Sequence, residues 1–590
     1  MSLDIALRIA ISSLMTTQVQ MSVASANIAN ADTTGYTEKT ANQTATVSLG
    51  VGTGATITGI TSNVDKLLLK SLMQATSALG SADTSNTYLN QLQALYGSSS
   101  GTSSGGTSLA NAIATFESAI SSLSSTPNSA SLQANAVSAL DDLASQLRET
   151  SSGIQKLRSN ADQDIASDVS DVNQQLNAIA SLNAQIKQAA ASGQPTGDLE
   201  DQRNTALQDI SSKMNVSYFI SSSGDMQVYT TSGQALVDSS VHPLSYTAAS
   251  SVAASTAYSS TPPSGFSGIT VNGVDVTSQI TSGDIGSLIS LRDTVLPAAQ
   301  SQLDQLATQL ASSLNAVHNT GTALPPPSTL TGTATVTAST PLNGSGTVRI
   351  AVTDQKGNLS SYQDLDLSSY ATVGDLVSAI NGISGLSASI NSSGHVVISS
   401  TGSGTGVSIN EMTSLVGSSG AGLSDYLGLN DIVTATGASD FAVRSDILSN
   451  PGLLAVASLD SSASLTAGSQ VLSSGSTTVV NNLYSALTGS TSFGAVGGLG
   501  STTESFADYA ASIVSNVASK AAQASTDYTA KQTTQTTFSS AMSSESGVNL
   551  DEETARLSTL QNQYSAASEL IQMVNTMFTD LMTAVKSVGT

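Results

Sequence analysis

The sequence contains no cysteine and no tryptophan, and it is poor in charge and in aromatic side chains. Without cysteine there is no disulfide framework, no thiolate metal site and no thiol nucleophile. Charged residues make up 10% of the chain and aromatics 4%, yet 18 basic against 42 acidic residues give a net charge of −24. A field of that sign argues against nucleic acid and against anionic membrane surfaces as partners. No run approaches the ~18 apolar residues of a membrane-spanning helix, so no membrane insertion is expected. The first eleven residues carry Asp4 and Arg8 instead of a basic segment followed by an apolar run, so no cleaved signal peptide is expected. The three histidines, His242, His318 and His395, lie far apart and lack ligand-spaced companions. Neither HExxH nor a glycine-flanked serine elbow is present. The expectation is therefore a non-enzyme with no metal and no cofactor.

What the sequence does have is periodicity at both ends. Leu557, Leu560, Tyr564, Ala567, Ile571, Val574, Phe578, Leu581 and Val585 step by three and four without a slip. So do Leu3, Leu7, Ala10, Leu14, Thr17, Met21, Ala24 and Ile28. Both are heptad seams, the pattern of helices that pack lengthwise on other helices. At 1.5 Å per residue they run for about 43 and about 39 Å. The similar lengths predict that the two ends pair as a coiled-coil stem. Leu550, Asp551, Glu552 and Glu553 open the second of these helices behind Asn549, with Asn549 as N-cap and the acids complementing the helix dipole.

Between the ends, 590 residues are too many for one core. A helical pattern runs from Asp65 to about Tyr96, and 98–108 reads as a Gly/Ser linker. The longest helical signal spans about 131–188 and calls for packing against other long helices. Asp162, Asp164, Asp168 and Asp171 on it read as a solvated face in preference to a metal site. Alternation with glycine turns follows near 215–280. Pro325, Pro326 and Pro327 mark a boundary, after which strands and a helix capped by Thr372 and Asp375 indicate an inserted α+β unit. A further amphipathic helix from Phe506 to Tyr528 is expected to pair with the long helix ending near Gln188. The fold class is mainly α with inserted β-rich parts. The expected domains are 1–62 with 546–590 as terminal assembly domain, 63–325 with 441–545 as long-helix core, and 326–440 as outer domain.

The stretch ANIANADTTGYT, from Ala26 to Thr37, and the stretch SGVNLDEE, from Ser546 to Glu553, closely resemble the two terminal signatures of bacterial flagellar axial proteins. The chain departs at Glu38 and Ser62, where that family usually carries arginine. The blocks Leu199 to Ser211 and Gly286 to Asp293 narrow the resemblance to the hook-associated members, with another axial protein (hook-associated protein 3 or hook protein) as the alternative. The resemblance implies a structural subunit at the hook–filament junction, exported by the flagellar type III system and located in the extracellular flagellum. It implies a ring of copies contacting hook protein and a second junction protein (hook-associated protein 3), and an export chaperone on the C-terminal helix. The expected assembly interface is Leu3, Leu7, Leu14, Met21, Asn27, Ile28, Asn30, Gly35 and Tyr36 at one end. At the other it is Leu550, Leu557, Leu560, Tyr564, Ile571, Val574, Phe578 and Leu581.

Overall fold

The structure, a computed structural model, describes residues 3–48, 50–97 and 108–588. The Gly/Ser linker expected over 98–108 therefore lies outside the described residues except for Ser108. Helix α1 (Leu3–Ala29) leads into an antiparallel hairpin of β1 (Lys39–Ser48) and β2 (Val51–Ser62), whose Thr, Val and Ile content suits extended backbone. Helix α2 (Lys66–Leu95) starts at Asp65, whose side chain accepts from the amides of Leu67 and Leu68. Helices α3 (Leu109–Ser125), α4 (Ala130–Ala191) and α5 (Gly197–Lys213) follow. At 62 residues, α4 is about 93 Å long. It buries Leu140, Leu143, Leu147, Ile154, Ile165, Val172, Leu176 and Ile179 against α3, α5 and later helices, as its periodicity requires.

The small β element is a three-stranded sheet of β3 (Val216–Ile220), β4 (Met226–Thr230) and β5 (Ala235–Val237), with β3 at an edge, followed by the short strands β6 (Leu244–Ser245), β7 (Thr270–Val271) and β8 (Val274–Asp275). Helix α6 (Gly283–Ser290) runs through a π turn at Leu291–Val295 into α7 (Leu296–His318). Pro297 has no amide proton to give to residue 293, and the wider turn accommodates that loss. The π turn carries Arg292, fully buried, whose Nη1 donates to Asp162 at 3.0 Å.

The expectation of a solvated acidic face holds for Asp164 and Asp171, which are exposed, but fails for Asp162 and Asp168. Asp162 is buried against Arg292 and Tyr246, and Asp168 is buried 2.7 Å from Lys213. Asp164 accepts from the Tyr88 hydroxyl at 2.6 Å. The cations that neutralise Asp162 and Asp168 arrive from 130 and 45 residues away, which spacing along one helix does not reveal.

Two three-stranded sheets follow, with orders β11-β10-β14 and β12-β13-β9. They comprise β9 (Thr329–Thr331), β10 (Thr347–Asp354), β11 (Leu359–Asp366), β12 (Leu386–Ile390), β13 (Val396–Ser400) and β14 (Thr405–Asn410). Helix α8 (Val373–Asn381) lies among them with a complete Thr372–Asp375 capping box. Leu342, Ile350, Leu376, Ile380, Ile398 and Ile409 form part of a hydrophobic cluster separate from that of the long helices. His318 at the end of α7 ties this unit down: Nδ1–H donates to the Asn430 carbonyl, and Nε2 accepts from the Ala455 amide at 2.8 Å.

Short helices α9 (Leu423–Leu427) and α10 (Ser445–Ser449) and then α11 (Thr478–Thr488) lead back to the body. Helix α12 (Phe506–Ser546) was expected to pair with α4. Its main partner is instead α2. The two run antiparallel, since Leu69 and Leu72 share a cavity with Met542 and Ser546, while Leu89 shares a groove with Lys520. Apolar spacing marks the face of a helix but not the helix that will cover it. Helix α13 (Leu550–Val588) closes the chain, packed along α1.

Candidate assembly interface

The stem is built from the two termini. Helix α1 ends beside the hairpin base, and Glu38 there donates its amide to the Ser546 carbonyl at 2.8 Å, just ahead of α13. Helices α1 and α13 therefore run antiparallel. Each buries residues seven apart: Ala10, Thr17 and Ala24 on one, Leu560, Ala567 and Val574 on the other. Small residues on α1 permit close approach, and the heptad step keeps one face of each helix on its partner. Leu3, Leu7, Leu14, Met21, Ile28, Leu557 and Ile571 are half-buried along the margins of this contact. Leu550, Tyr564, Phe578 and Leu581 are exposed. Val585 of the seam is exposed too, and so is a second stripe that the seam count missed: Leu570, Met573, Met577 and Met582 on α13, with Ile11, Met15 and Val19 on α1. So many large apolar side chains on one hairpin of helices mark an interaction surface.

The stem is fastened to the body through the turn after α1. Asn27, fully buried, donates from Nδ2 to the Lys39 carbonyl at 2.9 Å, and its Oδ1 accepts from the Lys39 amide at 3.1 Å and the Tyr36 hydroxyl at 2.9 Å. Gly35 sits at φ +79°, where a Cβ would meet the Thr205 hydroxyl of α5 at 2.6 Å. Asn30 lies at the surface, donating to the Ala26 carbonyl at 2.9 Å and so closing the helix end. Thr37 then gives its amide and hydroxyl to the two carboxylate oxygens of Asp201 on α5, at 2.9 and 2.7 Å. Lys39 is only 5% exposed, ion-paired to Asp201 (6% exposed), and its ammonium lies 4.3 Å from the centre of the Tyr36 ring. Burial pushes the Asp201 carboxyl up, opposed by Lys39 and Thr37. Burial, with Asp198 and Asp201 nearby, raises the Tyr36 phenol to about 12, so it stays a hydrogen-bond donor.

Two residues along α5 from Asp201, Arg203 points the other way, donating to Asn183 of α4 and to the Gly224 carbonyl, both at 2.9 Å. Helix α5 is thus an adapter between stem and body. Sequence reasoning reached the block containing both residues but not Asp201, Lys39 or Thr37 as parts of a joint. The partners are 164 positions apart, and no local signal links them.

On the other side of the joint, Arg556 lies 3.5 Å from Glu38 and 3.3 Å from Glu553. Burial and the adjacent Glu553 raise the Glu38 carboxyl. The acid at position 38 thus meets a cation supplied by α13. Asn549 accepts from the Asp551 amide at 3.1 Å, as an N-cap does. Among the described residues no group of three or more acids and histidines is placed to hold a metal ion, and no helix is long and apolar enough to cross a membrane.

Segments at both ends and in the middle match families of known proteins. Residues 7–37 match the flagella basal body rod protein family, and 539–584 match the C-terminal family of the flagellar basal body rod FlgEFG proteins. Residues 347–402, within the inserted unit, match the flagellin hook IN motif. Paired ends, long-helix body and these segments together resemble those of flagellar axial proteins.

The longest match, residues 89–332, is to the helical domain of the flagellar hook-associated protein FlgK. The chain resembles flagellar hook-associated protein 1. It is 22% identical to that protein from Salmonella typhimurium over 322 residues, which cover 53% of this chain and 56% of the relative. Identity and coverage are the same for the Escherichia coli K12 protein. The match thus spans about half the length of these curated relatives. In fold, the chain is similar to the flagellar hook junction protein FlgK of Burkholderia pseudomallei, with a TM-score of 0.50, 17% identity, and coverage of 80% of this chain and 99% of that one.

Proposed function

We propose that this protein is a structural subunit of the bacterial flagellum that joins hook to filament. The observation that carries the reading is the stem: two terminal helices, sealed to each other on one face and apolar on another, fixed to a FlgK-type helical body by a buried ion pair. Such a surface is stable only when other helices cover it. In this reading copies stand side by side in a ring on the distal hook, with hook protein below and hook-associated protein 3 above. The chain leaves the cell through the flagellar type III channel with its N-terminus uncleaved, and the lack of cysteine suits threading as an unlinked chain. A cytoplasmic export chaperone holds the exposed Met-rich face of α13, the same face that neighbouring copies later cover. The 326–440 unit is an outer domain facing away from the axis, and the chain performs no catalysis.

The experiment is deletion of the gene in the organism that makes the protein. Hooks should remain intact while flagellin appears in the medium. Normal filaments on the deletion strain would overturn the reading.

A further inference from the structure

A groove of about 680 Å³ opens between the first turns of α2 and the edge strand β3. Its lining includes Lys66, Lys70, Met73, Tyr218, Phe219 and Ile220. Both lysines are exposed, and neither has an ion-pair partner among the described residues. On a chain with 18 basic residues and a net charge of −24, two adjacent unpaired lysines are an uncommon positive spot. Around them Leu67 is 74% exposed, Phe219 50% and Ile220 38%. The groove therefore suits a segment that is both acidic and apolar.

We propose that its occupant is the Leu550–Asp551–Glu552 turn of a second copy of this chain, so that the groove and the turn form a side-to-side contact between neighbours. The inference rests on the ring reading above and adds which surfaces meet. Among the described residues, exposed acids without an ion pair lie directly beside exposed large apolar residues at Leu550 with Asp551 and Glu552, Glu569 with Leu570, Asp580 with Leu581, and Val274 with Asp275, the last already accepting from the Tyr258 hydroxyl of its own chain. The first is at the level of the groove. Leu69 and Leu72 of α2 face the cavity that Met542, Ser546 and Val548 also line, so α13 begins beside the start of α2. Glu569 lies a further 28 Å or so along α13, and Asp580 about 45 Å.

The turn does not reach the groove of its own chain. Lys66, Lys70, Met73 and Ser77 recur at helical spacing on one face of α2, and Leu69 and Leu72 lie on another, toward α12. Among the described residues, neither Asp551 nor Glu552 pairs with a lysine. A contact between two different patches of identical copies is heterologous, and such contacts close into rings when the rotation permits. The paired charges fix which copy faces which, and salt weakens them.

The absence of cysteine makes the test direct. The full chain is produced in its own organism with Lys70→Cys and Asp551→Cys together, and isolated flagella are treated with a short bismaleimide. The expected result is a ladder of dimers and higher multimers from the double variant and none from either single variant. A double variant that stays monomeric, or a single variant that forms dimers, overturns the proposal. In parallel, Lys66→Glu with Lys70→Glu should lower the amount of the protein on flagella at least tenfold, and adding Asp551→Lys with Glu552→Lys should restore it. Failure of the restoring pair overturns the groove contact alone. Absence of the unaltered protein from isolated flagella overturns the ring reading itself.

Discussion

Asp201 shows how one side chain can couple two parts of a long molecule. It accepts two hydrogen bonds from Thr37 and neutralises a lysine that has almost no access to water. Removing one partner of a buried pair leaves the other charged and desolvated, at a cost of about 3–5 kcal/mol. Asp201→Asn should therefore release the turn after α1 without unfolding the body. Amide exchange at Thr37 and Lys39 should accelerate by orders of magnitude while exchange in α4 is unchanged. Unaltered exchange at Thr37 would show that the joint does not depend on this carboxylate. His318 gives a pH prediction. Burial lowers its pKa to about 4 from the ordinary value near 6.5, because no water reaches the ring to solvate its charge, an effect that the hydrogen bond to the Asn430 carbonyl opposes only in part. The unfolded chain takes up the proton first as pH falls, so stability is intact above pH 6.5 and declines toward pH 4, by roughly 3 kcal/mol in all. Urea unfolding should show that loss in the native protein and less of it in His318→Gln. None of these pairings was legible in the sequence: Asp201 and His318 were visible as residue types, but their partners lie far away along the chain.

Helices were the most legible elements, because a 3.6-residue period survives in any long amphipathic segment. The spans of α2, α4 and α13, the Asn549 cap and the Thr372 capping box all follow from local chemistry. Pairing was legible for α1 and α13, from their matching heptads, but not for α12, which lies on α2. The stem contact depends on small residues at every seventh position of α1, so filling one should force the helices apart. Ala24→Leu should destabilise the α1–α13 contact by about 1–3 kcal/mol, measurable as faster exchange in both helices. The margin and open face of α13 make the opposite prediction. Ile571→Asp with Phe578→Asp should leave the circular dichroism of the body unchanged and abolish assembly onto hooks and chaperone binding. Normal filaments from that variant would exclude α13 as the assembly surface.

At the scale of the whole molecule, the resemblance at both ends is to flagellar axial proteins, and the match of residues 89–332 to the FlgK helical domain agrees with it. The inserted unit was legible as α+β, but the flagellin hook IN motif within it was not recognised, since its strands carry no distinctive local chemistry. Protection should fall from centre to ends. Exchange should be slowest in α4 and α7, whose apolar residues lie inside the main cluster, and fastest before about residue 35 and after about residue 550, where one face of each helix is bare. Strong protection in isolated α1 and α13 would mean that the stem needs no neighbours.

The pairing of α1 with α13 also orders events in time. Helix α1 is covered by a helix made more than five hundred residues later. Contacts so far apart along a chain form late. A chain cut short anywhere before about residue 550 has no cover for α1 and no Arg556 to meet Glu38. Closure of the stem therefore requires that synthesis has passed α13.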